Sequence, residues 1–133
     1  MPRLIFPEGT NLIYGSKRLF KRFGFLTKKD GLRTQEFIDY YENHHVPLIC
    51  SLAPVPTVYE RRYLVGERLT TEGGEVDFDV MTELVFADRR AFDAWMAELA
   101  KPWVWRTDCG DEEKFLNRAR TRAYVIEERV TRE

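Results

Sequence analysis

The 133-residue chain predicts an α+β fold: strand, helix, strand, strand, helix, strand, folded as a four-stranded antiparallel sheet with both helices on one face. Three observations carry this. Four segments alternate in side-chain character as strands do, two others repeat apolar residues at offsets of three and four, and the runs between them are rich in proline, glycine and charge. With 44% hydrophobic and 32% charged residues the chain suits one core rather than two domains or a disordered tail.

Residues 1–16 mix Pro2, Pro7, Gly9 and Gly15 with two small apolar clusters, and read as an arm lying on the domain (residues 17–133) or on a neighbouring subunit. Residues 19–27 are aromatic and apolar on both alternating faces, the pattern of a strand covered on both sides. Thr34 is the expected N-cap of the first helix, with Glu36 in its first turn. Phe37, Tyr40, Tyr41, His44 and Leu48 then form a helical stripe. Pro47 has no N–H for the carbonyl of Asn43, so the helix should kink or stop at His44 and His45.

Residues 58–65 alternate as a second strand, Gly73 and Gly74 supply a flexible turn, and residues 78–86 form the third strand. Asp88 caps a second helix whose apolar face is Phe92, Trp95, Met96 and Leu99, and Pro102 is read as its end. Residues 103–110 read as irregular, 111–117 as a short helix and 122–128 as the fourth strand. In the third strand Val80, Thr82, Leu84 and Phe86 share one side, while Met81, Glu83 and Val85 share the other. Helices cover only one face, so the apolar residues of the other predict a second copy packed sheet to sheet.

Composition excludes several function classes. The 21 Lys and Arg against 22 Asp and Glu give a net charge of −1, too balanced for a nucleic-acid or anionic-membrane binder. Cys50 and Cys109 stand far apart, which supports neither a disulfide framework nor a zinc ribbon and predicts reduced thiols and a cytoplasmic setting. No apolar run approaches the roughly 18 residues of a membrane span. A Gly-x-Ser-x-Gly elbow, a Gly-x-Gly-x-x-Gly loop, a phosphate loop and His-Glu-x-x-His are all missing, so neither a metal nor a tightly bound cofactor is expected.

The stretch GFLTKK from Gly24, the run FIDYYENHHVPL from Phe37, and DVMTELVFAD from Asp79 together resemble the EthD family of dimeric α/β-barrel proteins, over about residues 17–128. The strand-turn-helix unit ending in His45-x-Pro47-Leu48 is the most specific part. The resemblance implies a ferredoxin-like protomer, a homodimer with facing sheets, and a small apolar pocket between sheet and helices in each copy. The family takes its name from a gene cluster degrading an ether. Related members are described as cofactor-independent decarboxylases, dehydratases or cyclases acting on polyketide and aromatic intermediates.

His44 and His45 are the only histidines. As helical neighbours they point about 100° apart, so one faces the pocket and the other faces out. The stripe through Tyr40 favours His44, whereas the resemblance assigns the pocket to His45. A second row, Ile38, Tyr41 and His45, and the break imposed by Pro47 favour His45 as the catalytic group. Histidine suits proton transfer near neutral pH, its reference pKa being about 6.5; the bland alternative is that it caps helix carbonyls. Glu83, inside an apolar strand, is the second catalytic candidate, against a structural ion pair with Arg22, Arg61 or Arg62. Tyr41, Tyr63, Tyr59, Trp95 and Met81 are candidate substrate contacts for a flat ligand, although aromatics at helical spacing more often make core.

The expected function is that of a cofactor-independent acid/base enzyme of dehydratase, decarboxylase or cyclase type, acting on a small hydrophobic aromatic or polyketide-like substrate. Two alternatives stay open: a non-catalytic binding or delivery protein for an oxidative pathway, and a cofactor-free monooxygenase.

Overall fold

A computed structural model describes the backbone of residues 13–14 and 17–133, and side chains from Leu19 onward. The expected N-terminal arm otherwise lies outside the described residues. Its last part contributes β1 (Ile13–Tyr14), which pairs antiparallel with β2 (Lys17–Arg18) apart from the main sheet. The main sheet comprises β3 (Phe20–Leu26), β4 (Val58–Tyr63), β5 (Val80–Phe86) and β6 (Arg122–Ile126) in the order β4-β5-β3-β6, every pair antiparallel. β5 sits centrally and is buried along nearly its whole length, as an apolar strand flanked on both sides should be. The predicted four strands and their antiparallel pairing are thus present, each two residues shorter than expected.

Three helical units cover one face, where two long helices and a short one over residues 111–117 were expected. The first is continuous from α1 (Thr34–Tyr40) through a π-turn (Tyr41–His45) into α2 (Val46–Leu52). Its N-cap is Arg33 rather than Thr34: the Glu36 carboxylate accepts from the Arg33 backbone N–H at 3.0 Å. The helix neither stops nor breaks at Pro47. Instead the Val46 N–H reaches back five residues to the Tyr41 carbonyl, a widened turn that absorbs the donor Pro47 lacks. The second unit is α3 (Arg89–Leu99), capped as expected by Asp88, whose side chain accepts from the Ala91 N–H at 2.8 Å.

The third unit, α4 (Pro102–Phe115), corrects the reading of residues 103–110 as irregular. Pro102 closes one helix and also opens the next, because at the first helical position no N–H is needed and the proline φ is already helical. The periodicity of α4 was masked because its inward positions alternate in polarity: Val104 and Phe115 are fully buried, and Asp108 between them is 7% exposed.

Two core clusters result. Ile49, Leu84, Phe86, Trp95 and Val104 belong to one, and Leu26, Phe37, Tyr41, Val80 and Phe115 to the other. β3 contributes to both, Phe20 packing on the first and Leu26 belonging to the second, and its Gly24 faces Thr82 of β5. A Cβ at Gly24 would stand 2.7 Å from Thr82 Oγ1 and 3.1 Å from Leu26 Cδ1, so this glycine is kept by space rather than by backbone conformation. The far face carries Phe23, Phe25, Met81 and Tyr124 around an ionic row in which Glu83 binds Lys21 at 3.5 Å and Arg62 at 2.9 Å.

Gly24→Ala is expected to cost about 1–3 kcal/mol in urea unfolding through overpacking. Adding Thr82→Ala should recover part of that loss; a double variant no more stable than the Gly24→Ala single would show that the contact is not the cause.

Candidate active site

The site is built on the row Phe37, Tyr41, His45 and Ile49, which are 0%, 2%, 5% and 8% exposed. Steps of four residues drift about 40° each around a regular α-helix, so His45 and Ile49 would turn away from the core. The π-turn has more residues per turn and removes that drift, which keeps all four on one face. The stripe through Tyr40 and His44 accordingly stops at the turn: His44 is exposed and stacks on Tyr40 at 4.8 Å.

His45 Nδ1 lies 2.9 Å from Asp111 Oδ2 on α4. The Tyr40 hydroxyl donates to the other Asp111 oxygen at 2.5 Å. A carboxylate holding two donors fixes the imidazole with its hydrogen on Nδ1 and the Nε2 lone pair free. Nε2 points toward Asp108, whose Oδ1 is 3.7 Å away, beyond hydrogen-bond reach. That oxygen is buried and has no hydrogen-bond partner among the described residues. Burial raises the Asp108 carboxyl above its ordinary range, and the nearby His45 and Arg118 oppose the rise. One helical turn on, burial pushes Glu112 up to about 7, reinforced by the Asp108 charge and opposed by Arg118 and Arg22.

His45, Asp108 and Glu112 line a cavity of about 320 Å³ between sheet and helices. Leu26, Ile49, Leu84, Trp95 and Leu99 supply apolar wall; Arg22, Tyr41, His45, Tyr59, Asp108 and Glu112 supply polar groups. The hydroxyls of Tyr41 and Tyr59 are 2.8 Å apart. Burial holds Tyr41 well above the usual phenol range and pushes Tyr59 up to about 12, so both stay protonated at neutral pH. The arrangement pairs an oriented imidazole with weakened acids in a mostly apolar chamber, which is what proton transfer to and from a small organic molecule requires.

Of the residues singled out from the sequence, the structure brings Tyr41, His45, Tyr59 and Trp95 together at this cavity. It places Glu83 and Met81 elsewhere. Thr82 and Leu84 point at the helices, so strand alternation turns Glu83 and Met81 to the far face, Glu83 into the ion pairs with Lys21 and Arg62. Tyr63 shares the helix-facing side but packs edge-on against Phe37 and donates its hydroxyl to Glu42, away from the cavity lining. Sequence reasoning missed Asp108, Asp111, Glu112 and Arg22 as site residues. The i, i+3, i+4 spacing of the three acids was the available signal, hidden by the reading of residues 103–110 as irregular. His45, Asp108 and Glu112 each offer an atom within 4.8 Å of the others, close enough for side-chain rotation to gather them on a divalent cation. Arg118, 3.3 Å from Glu112, already supplies positive charge there, and the chemistry proposed below uses no metal.

The EthD domain description matches residues 29–119, more than two thirds of the chain. Among solved structures, an EthD (ethyl tert-butyl ether D) family protein from Bacillus halodurans is similar with a TM-score of 0.58 at 20% identity, over 84% of this chain and all of that one. An EthD-like protein from Ralstonia eutropha is similar at 0.53 and 16% identity, over 83% of this chain and 89% of that one. A dimeric ferredoxin-like protein of unknown function from Thermobifida fusca is similar at 0.51 and 12% identity, over 89% of this chain and 98% of that one. No functionally curated protein matches. Sheet order, helix placement and this match agree: the chain belongs to the EthD family and has its ferredoxin-like fold.

Proposed function

We propose that the protein is an acid/base enzyme of lyase type, working without a cofactor on a small hydrophobic aromatic or polyketide-like substrate. The observation that carries this reading is the 2.9 Å contact of His45 Nδ1 with Asp111, which leaves Nε2 free at the wall of a mostly apolar cavity. In a dehydration, Nε2 takes the proton from carbon next to a carbonyl, the electron pair forms the double bond, and the protonated Glu112 carboxyl passes its proton to the departing hydroxyl, which leaves as water. The Tyr41 and Tyr59 hydroxyls are suited to hold the carbonyl oxygen.

We further infer that the functional unit is a homodimer through the far sheet face. Its partly covered Phe23, Phe25 and Met81 and the exposed Tyr124 support this, as does the description of the Thermobifida relative as dimeric. No helix among the described residues is long and apolar enough to cross a membrane.

Three outcomes are expected. On aromatic β-hydroxy ketones followed by absorbance of the conjugated product, His45→Ala should lower kcat/KM by about 10²–10⁴-fold with the fold intact by circular dichroism. Equal turnover would remove His45 from the mechanism, binding without turnover by wild type would favour the delivery reading, and oxygen uptake the monooxygenase. Light scattering should give twice the 15.8 kDa chain mass, and Met81→Arg should halve it. Finally, Glu112 holds its proton more tightly folded than unfolded, because its pKa rises from 4.5 to about 7. The unfolded chain therefore binds fewer protons through that window, and stability falls as pH rises across it. Relative to Glu112→Gln, wild type should lose about 1–3 kcal/mol between pH 5 and pH 8, read from urea midpoints.

A further inference from the structure

Arg22 stands on β3 between Phe20 and Gly24 on the helix-facing side, while Lys21 and Phe23 point the other way. Its guanidinium reaches the cavity wall and lies 5.7 Å from the Trp95 ring centroid. Among the described residues it has neither a hydrogen-bond nor an ion-pair partner. A guanidinium keeps its charge and presents five N–H donors in a planar fork. Arg22 is half-buried and its nitrogens open onto the cavity, so the unpaired fork is free to meet an acceptor on a bound molecule.

The acids that could have paired with it are held elsewhere: Glu112 by Arg118 at 3.3 Å, and Asp108 facing His45 at 3.7 Å. Asp108 in turn has a buried, unpaired Oδ1. One cavity therefore presents donors without an acceptor at Arg22 and an acceptor without a donor at Asp108, joined by the apolar surfaces of Trp95, Leu84 and Ile49.

We propose that Arg22 and Asp108 form a subsite for an aryl ligand that carries a delocalised oxyanion, either carboxylate or phenolate/enolate, with a neighbouring hydroxyl. The oxyanion accepts from the guanidinium fork, the hydroxyl donates to Asp108 Oδ1, and the ring lies against Trp95. The cavity of about 320 Å³ suits one or two rings. Built on the acid/base reading, this names its substrate class: an aromatic hydroxy acid or an enolisable hydroxyaryl ketone, whose enolate Arg22 would hold as it forms. Arg22 is then a substrate-binding residue and not a proton carrier.

The test is calorimetric titration of the full-length protein with 2-hydroxybenzoate, benzoate, 4-nitrophenolate at pH 8, and neutral 2-hydroxybenzamide. Wild type should prefer 2-hydroxybenzoate to the amide by at least about tenfold. Arg22→Gln should erase that preference and Arg22→Lys keep part of it, while Asp108→Asn should level 2-hydroxybenzoate with benzoate. The carboxylate and phenolate probes separate the two sources of negative charge. Equal affinity for anion and amide, equal weakening of both by Arg22→Gln, or no anion binding at millimolar concentration would each overturn the subsite. Anion binding that depends on Arg22 in a protein whose turnover is indifferent to His45 would refute only the catalytic reading.

Discussion

The missing N–H of Pro47 is the constraint on which the site depends. An α-helix running through residue 47 leaves the Asn43 carbonyl without its donor, and here the helix widens by one turn just before the proline and continues past it. The same turn resets the angular register, so that residues four apart stay in line. Phe37 and Tyr41 bury into the cluster of Leu26 and Phe115, Ile49 into that of Leu84 and Trp95, and His45 lines the cavity. A regular helix of the same sequence would direct His45 and Ile49 aside and would leave Asp111 with Tyr40 alone of its two partners.

The acids of α4 complete what the π-turn begins. Asp108, Asp111 and Glu112 sit on one helical face because offsets of three and four residues return to the same side. Each nonetheless has a different environment. Asp111 has two donors and acts as an orienting acceptor. Glu112 pairs with Arg118 but loses enough water to keep its proton near neutrality, and Asp108 is left with an unpaired oxygen. Three like carboxyls within one turn are thus driven apart in behaviour by burial and partners alone.

Most of the fold was legible in the sequence because it rests on patterns of period two and 3.6. β3, β5 and α3 each show such a pattern, and Asp88 marks its helix start. The alternation in β5 that predicts an uncovered face also puts Glu83 there. Choosing Glu83 as a pocket residue on the strength of its apolar neighbours overlooked that parity. α4 was illegible for the opposite reason: a site-bearing helix spends its inward positions on polar groups, which weakens the apolar signal. His45 could be read against the simple stripe only through Pro47 and the family resemblance. Arg22 gave no local cue, since a single cation in an aromatic strand resembles its neighbours Lys21 and Arg18 until the sheet is folded.

The imidazole and acids of the cavity and its lone guanidinium come from separate layers of the molecule. His45 and the acids belong to helices, whereas Arg22 projects from the central β3 strand, anchored on both sides by hydrogen-bonded neighbours. Such a division lets the two properties diverge independently over a lineage. A single replacement on β3 would change the charge at the cavity wall while leaving His45, Asp111 and Glu112 in place.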